Sequence, residues 1–150
     1  MSSTQHLAVW RKSHALSVRI HEATAASQPM PHADLAHRLR AVAIAIPLAV
    51  DNGAQSHTPG EFATYLEHVQ LLARELVYLT SLAQAVGLIA DAEGTRWQAR
   101  LNLVTRMTAG LLRVLEREAL GRSTPQRAAG SGPGGATPRR RSSTRPDPSG

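Results

Sequence analysis

The sequence predicts an all-α protein, an up-down antiparallel four-helix bundle with a disordered C-terminal tail rich in Arg, Gly, Pro and Ser. Three observations lead to this prediction. Apolar residues recur at alternating steps of three and four along four segments, as on the buried face of a helix. Aromatic residues make up only 3% of the chain, so the core must be aliphatic. The spacing then stops, which predicts a bundle over residues 1–121 and a disordered tail over residues 122–150.

The first helix is predicted over residues 5–26, with Val9, Leu16 and Ile20 on one apolar face. It is expected to end before the Pro-Met-Pro segment at residues 29–31, because two prolines so close together do not fit inside a helix.

The second helix is predicted to begin at Asp34, whose carboxylate can cap the free amides of the first turn. It is expected to end at Asn52-Gly53. Pro47 lies inside the apolar pattern, so we expect a kink there and no clean stop. The apolar stripe consists of Leu35, Leu39, Val42, Ile46 and Ala49.

The third helix has the clearest start signal, Thr-Pro-Gly-Glu at residues 58–61. This pattern predicts a capping box in which Glu61 accepts a hydrogen bond from the Thr58 amide. Gly87 is the expected left-handed residue after the helix end. The length of this helix suggests apolar surface beyond its own bundle, a hint of oligomerisation. Its stripe includes Phe62, Leu66, Val69, Ala73 and Leu76.

The fourth helix is predicted to be capped by Asp91 and to end at Gly121. Glu93 lies in its first turn, where a negative charge suits the helix dipole. Gly110 is predicted to mark a close helix crossing. Its stripe includes Trp97, Leu101, Val104, Leu111 and Leu115. Apolar spacing near 3.5 residues favours near-parallel packing at about 20°.

Composition excludes several classes of function. The chain has no Cys, which removes disulfides, thiol nucleophiles and Cys-ligated zinc. No phosphate-binding loop, nucleophile elbow or His-Glu-x-x-His motif is present, so we expect neither an enzyme nor a cofactor. No apolar run is long enough for a membrane span, and no signal peptide is recognisable, so we expect a cytoplasmic location.

Several segments resemble one known family. Residues 7–12 (Leu-Ala-Val-Trp-Arg-Lys) are similar to its Leu-x-Val-Trp-Gln-Lys opening, and residues 39–47 (Leu-Arg-Ala-Val-Ala-Ile-Ala-Ile-Pro) to its Leu-Arg-Arg-Ala-Ala-Val-Ser-Ile-Pro. Gly53 and the Glu-Phe-x-x-Tyr-Leu of residues 61–66 also match in order and spacing. The chain thus resembles the bacterial four-helix-bundle family of ribosomal intervening-sequence proteins, to which the accessory variability determinants of diversity-generating retroelements are related.

The resemblance implies an up-down bundle that assembles with itself into a homopentameric ring. In the retroelement branch it implies a basic ring that binds RNA or DNA and a reverse transcriptase. The chain departs from the family pattern where it has Ala41 for the second Arg, Ala45 for the Ser, and Ala49 and Asn52 for the Asn and Glu.

The basic residues suggest a nucleic-acid contact. The net charge of +6 lies mostly in the tail, because residues 1–121 hold 11 basic and 10 acidic side chains and residues 122–150 hold 6 and 1. A phosphate-binding patch is predicted within the bundle, the alternative being a solvated surface paired with acidic neighbours. The arginines of the tail either bind polyanions non-specifically or form a terminus that only keeps the protein soluble. The candidates are Arg11, Lys12, Arg38, Arg40, Arg139, Arg140 and Arg141.

Some of the seven histidines are candidate metal ligands. His14 and His21 share a helix face, and His37 and His68 could approach them in a bundle. No Glu-x-x-His pair occurs, so we interpret them as scattered surface or boundary residues with no metal. From the basic residues and the resemblance together we expect an oligomeric nucleic-acid-associated accessory protein, and the resemblance implies that it helps a retroelement reverse transcriptase. The alternatives are a protein-interaction scaffold with no nucleic-acid contact and a small ligand-binding bundle.

Overall fold

In the part of the chain that the structure describes, four helices form an antiparallel bundle. The computed structural model describes the backbone of residues 3–25 and 31–130 and the side chains of residues 5–25 and 31–121. The helices are α1 (Ser3–Ala23), α2 (Ala33–Ala54), α3 (Pro59–Ala85) and α4 (Asp91–Gly130). Each packs on its neighbours in the chain and α1 also packs on α4, so that α2 and α4 lie diagonally across the bundle. The predicted fold class is confirmed.

The core lies along the axis of the bundle and is supplied by all four helices. Ile20, Leu39, Leu66 and Leu101, one from each helix, are completely buried. Burial of each such side chain contributes about 1.5–3 kcal/mol to folding. The apolar stripes predicted from sequence therefore meet as one largely aliphatic seam, which also contains the buried rings of Phe62 and Trp97.

Threonine hydroxyls that enter this seam are satisfied by their own helices. Thr24, Thr80 and Thr108 each donate to the backbone carbonyl four residues earlier, with oxygen–oxygen distances of 2.7 Å. Each is 4% exposed or less. These hydrogen bonds remove most of the cost of burying a hydroxyl.

The helix starts differ in detail from the prediction. Thr58 caps α3 as expected, and its Oγ1 accepts from the Glu61 amide at 3.1 Å. The Glu61 carboxylate, however, accepts from the His57 amide at 3.0 Å, one residue before the predicted donor. The prediction of Asp34 as N-cap was wrong: His32 occupies that position in a left-handed conformation (φ 61°), and Asp34 already lies within the first turn.

The fourth helix also begins one residue earlier than predicted. Asp91 is its first helical residue, because the Ala90 carbonyl already accepts the first hydrogen bond, from the Gly94 amide. Asp91 and Glu93 both fall in the first turn, where their charges complement the helix dipole.

The helix ends show which glycines act as terminators. Gly87 follows α3 with φ 78°, and the Leu88 amide donates to the Ala83 carbonyl at 2.9 Å, as predicted for a helix end. Gly53 does not end α2 but lies inside it, against α3. A Cβ there would be 2.8 Å from Phe62 Cδ1, so this position requires glycine for close approach.

The helix bounds of α1 and α4 also differ from the predicted helix ends. α1 ends at Ala23 and not at Ala26, because the Ala25 amide donates to the Glu22 carbonyl, a tighter turn than a helix makes. α4 continues past Gly121 to Gly130, since Gly121 does not take the positive φ that ends a helix. The remainder of the predicted disordered tail, residues 131–150, lies outside the described residues.

Pro47, Gly94 and Gly110 each bear on how the helices pack. Pro47 is buried inside α2, which continues past it as expected. Gly110 is not at a helix crossing, because the nearest atom to a Cβ there would be Arg113 Nη2 of the same helix, at 3.9 Å. The close approach in α4 is instead at Gly94, whose backbone packs against the Gln84 side chain of α3.

Candidate nucleic-acid interface

Charge is segregated between the two halves of the bundle. The described side chains of residues 5–25 and 91–121, which form α1 and α4, include eight Lys and Arg against five Asp and Glu, a balance of +3. Residues 31–90, which form α2 and α3, include three against five, a balance of −2. Because α1 packs beside α4, the positive charge is concentrated on one side. We call this the basic face, defined as Lys12, Arg19, Arg96, Arg100, Arg106, Arg113 and Arg117.

A groove of about 660 Å³ runs between α1 and α4 on this side. Its apolar floor includes Leu16 and the buried ring of Trp97. Four of the seven basic-face cations line it: Lys12, Arg19, Arg96 and Arg100. The groove also contains two carboxylates, those of Glu22 and Glu93.

Glu93 joins α1 to α4 at one end of the groove. Its Oε1 accepts from Arg19 Nε at 2.6 Å and from Trp97 Nε1 at 2.8 Å. Its Oε2 accepts from Arg19 Nη2 and Arg96 Nη1, each at 2.9 Å. Both carboxylate oxygens are therefore saturated by donors from two helices. This geometry is a bidentate Arg–carboxylate pair, the strongest kind of side-chain ion pair.

The donors determine the charge state of Glu93. Hydrogen bonds from Arg19 are the largest cause, and with Trp97 and the nearby Arg96 charge they lower the pKa of Glu93 to about 2, although burial alone would raise it. Glu93 is thus ionised at neutral pH while only 9% exposed. It neutralises part of the charge of Arg19 and Arg96. Lys12 and Arg100 form no ion pair with other described side chains and retain their full charge toward solvent.

Arginines of the basic face also form a row along α4. Arg96, Arg106, Arg113 and Arg117 are separated by steps of ten, seven and four residues, and all are exposed. At about 100° per residue these steps keep the four side chains within an arc of about 100°. We call this row the arginine stripe. Its 21-residue extent corresponds to about 32 Å along the helix.

The structure does not bring the predicted bundle residues into one patch. Arg11 and Lys12 are exposed on α1, where Lys12 lines the α1–α4 groove. Arg38 pairs across to α3, with its Nε 2.7 Å from Glu75 Oε2. Arg40 lies in a separate groove between α1 and α2, beside His21 and other residues. The α2 arginines face away from α4, because α2 and α4 are diagonal.

The three predicted tail residues, Arg139, Arg140 and Arg141, lie outside the described residues.

Sequence reasoning missed most of the basic face. Arg19 and Glu93 are separated by 74 positions, and no local pattern connects them. Glu93 was interpreted only as a helix-dipole residue. The arginine stripe did leave a signal, because the seven- and four-residue steps from Arg106 to Arg117 are those of a single helix face.

The histidines have local contacts. His14 stacks on Trp10 with ring centroids 4.7 Å apart, and His21 Nδ1 donates to the Ser17 carbonyl at 2.8 Å. Across the described residues, no three His, Asp or Glu side chains converge as a metal site.

No helix in the described part of the chain combines the length and apolar character needed to cross a bilayer.

Comparison with known proteins identifies a family. The model of a family described as 23S rRNA-intervening sequence protein matches residues 5–110, which contain α1, α2, α3 and the first half of α4. No curated protein matches the sequence.

Proposed function

The chain belongs to the 23S rRNA-intervening sequence protein family, and we propose that it is an RNA-associated bundle that binds phosphates through its basic face. The observation that carries this proposal is the segregation of charge, +3 on α1 and α4 against −2 on α2 and α3. A net charge of +1 over the bundle would not attract RNA by itself. Its separation onto two sides gives one side a positive field.

The chemistry of the basic face supports phosphate contact. Six of its seven cations are arginines, whose planar guanidinium can grip two phosphate oxygens at once. Lys12 and Arg100 line the same groove and have no ion-pair partner among the described side chains, so binding RNA would not require them to break an existing pair. These two residues are therefore expected to contribute most within the groove.

Filter binding across a salt series tests the proposal. Lys12→Gln combined with Arg100→Gln should weaken RNA binding and reduce the slope of log affinity against log salt by roughly 2, about 1 for each lost phosphate contact. The matched control is Arg38→Gln combined with Arg40→Gln, which removes the same charge from α2. The control should leave the slope unchanged.

Two results would contradict the proposal. The first is no detectable RNA binding by the full chain at low salt. The second is an equal loss in the two double variants, which would show that net charge matters and the face does not. Loss confined to Arg139, Arg140 and Arg141 substitutions would instead assign binding to the tail.

A protein-interaction scaffold is the second candidate, and one observation favours it. Large apolar side chains are exposed on the other half of the bundle, with Ile44 and Leu48 on α2 and Leu71 and Tyr78 on α3. Leu71 and Tyr78 are 59% and 64% exposed and seven residues apart, so they share a helix face. A protein partner or a second copy of the chain would cover such residues.

Sedimentation velocity shows whether a second copy of the chain or a different protein covers these residues. If α2 and α3 bind a second copy, Leu71→Ser combined with Tyr78→Ser should lower the sedimentation coefficient of the free protein and leave RNA affinity unchanged per subunit. The homopentamer and the reverse transcriptase partner stay predictions from the resemblance, and the cytoplasmic location stays a prediction from the sequence pattern.

A further inference from the structure

The arginine stripe extends beyond the groove. α1 and α4 are antiparallel, with Arg19 opposite Glu93. Counting back along α1 from this pair places its first residue, Ser3, level with about residue 109 of α4. Arg113 and Arg117 therefore lie on a part of α4 that α1 does not flank, and both are exposed. The stripe forms an open edge with cations at rises of about 15, 10 and 6 Å.

Among the described side chains, α4 itself presents no exposed aromatic ring along the stripe. Trp97, the aromatic residue of α4, is 1% exposed and packs in the core. The exposed tyrosines, Tyr65 and Tyr78, belong to α3, and Trp10 stacks on His14 of α1. Proteins that hold single strands use exposed aromatic rings on which successive bases stack. The helix that carries the stripe therefore offers positive charge to phosphates but no exposed ring on which a base could stack.

These two observations favour one form of nucleic acid. We propose that the arginine stripe binds the phosphate backbone of double-helical RNA without reading its bases, a proposal that rests on the proposed function. A duplex carries its phosphates on a rigid surface at about twice the linear charge density of one strand. Double-stranded RNA is recognised mainly by shape and backbone contacts, which a rigid row of arginines can make. A flexible single strand would lose conformational entropy on the stripe, with no stacking to offset the loss.

Competition binding with the full chain tests this inference. The probes are a 20-base-pair RNA duplex, a DNA duplex of the same length, and a 20-nucleotide single-stranded RNA without self-complementarity. The duplex RNA should bind roughly tenfold more tightly than the single strand at the same salt. Arg106→Gln combined with Arg113→Gln should remove that preference. Gln maintains helix propensity, and circular dichroism checks that the variant is folded.

The Arg38→Gln and Arg40→Gln double variant is again the matched control and should retain the duplex preference. Single-stranded RNA bound as tightly as the duplex would overturn the inference while leaving the proposed function intact. Tighter binding of the DNA duplex than of the RNA duplex would overturn RNA as the ligand. An acidic peptide could displace the RNA duplex when both are present at the same concentration of negative charges. That result would show that the stripe binds an acidic protein partner. Absence of binding to all probes would overturn the proposed function as well.

Discussion

Protonation of Glu93 should loosen the contact between α1 and α4 at acid pH. In the folded protein its pKa is about 2, against about 4.5 for an unperturbed Glu, because Arg19, Arg96 and Trp97 stabilise the carboxylate. A folded pKa below the unfolded one means that the carboxylate stabilises the fold at all pH values above about 4.5. This contribution is lost as the pH falls from about 4.5 to about 2.

The size of the effect follows from the pKa difference and the exposure of the partners. A difference of about 2.5 pH units corresponds to about 3 kcal/mol as an upper bound. The Arg19 and Arg96 side chains are 53% and 69% exposed, so water screens the pair and reduces the contribution. We therefore expect about 1–2 kcal/mol from Glu93, of which more than half is lost by pH 3.

Urea unfolding of the wild type, Glu93→Gln and Glu22→Gln at a series of pH values measures this contribution. Glu93→Gln should be about 1–2 kcal/mol less stable than wild type at pH 7, and the difference should shrink toward pH 2, where Glu93 itself becomes neutral. Glu22 is the matched control in the same groove, because it is 62% exposed and 3.8 Å from Arg19. Its replacement should change stability by less than about 0.5 kcal/mol.

A Glu93→Gln variant as stable as wild type at pH 7 would refute this reasoning. A difference that stays constant down to pH 2 would also refute it, because the loss would then come from packing and not from charge.

Three further predictions concern packing and charge. Gly53→Ala should lower the free energy of unfolding by about 1–3 kcal/mol, because the new Cβ would clash with Phe62; Gly110→Ala, which has room, should raise it by up to about 1 kcal/mol. Urea denaturation measures both, and a stabilised Gly53 variant would contradict the close approach of α2 and α3. Leu101→Ala should cost about 2–5 kcal/mol in the same assay, and a cost below about 1 kcal/mol would show that its burial is overstated. Glu93→Gln, which frees Arg19 and Arg96, should increase RNA affinity and steepen its salt dependence in filter binding, whereas weaker binding would place RNA on another face.

The fold could be predicted from sequence because its main determinant is periodic. Leu39, Leu66 and Leu101 were each assigned to an apolar stripe, and all three are completely buried. Periodicity identifies a buried face without knowledge of what covers it. The Thr58 cap and the Gly87 terminator were also predictable, because each depends on a few consecutive residues.

Predictions that depended on exact register or on neighbouring helices failed. The side chain of Asp34 suits an N-cap, but α2 already begins at Ala33. Gly53 follows the pattern of a helix terminator, whereas its role depends on Phe62 of the next helix.

The candidate site was less predictable than the fold for the same reason. The predicted patch grouped Lys12, Arg38 and Arg40 because all three are basic. A shared charge does not mean that the three side chains lie close together in the bundle. Charges can be assigned to one side of the bundle only when it is known that α1 packs on α4 and that α2 is diagonal to α4. The arginine stripe was also missed, but it could have been found, since residues 106–117 lie on one helix and their spacing alone places Arg106, Arg113 and Arg117 together.

Protection of arginines from chemical modification tests the central claim most directly. The full chain is treated with an arginine-specific dicarbonyl reagent with and without saturating duplex RNA, and modification at each site is quantified by mass spectrometry. RNA binding through the basic face predicts protection of Arg100, Arg106 and Arg113, with Arg38 modified equally in both samples. Protection of Arg38, or protection confined to residues 139–141, would contradict it.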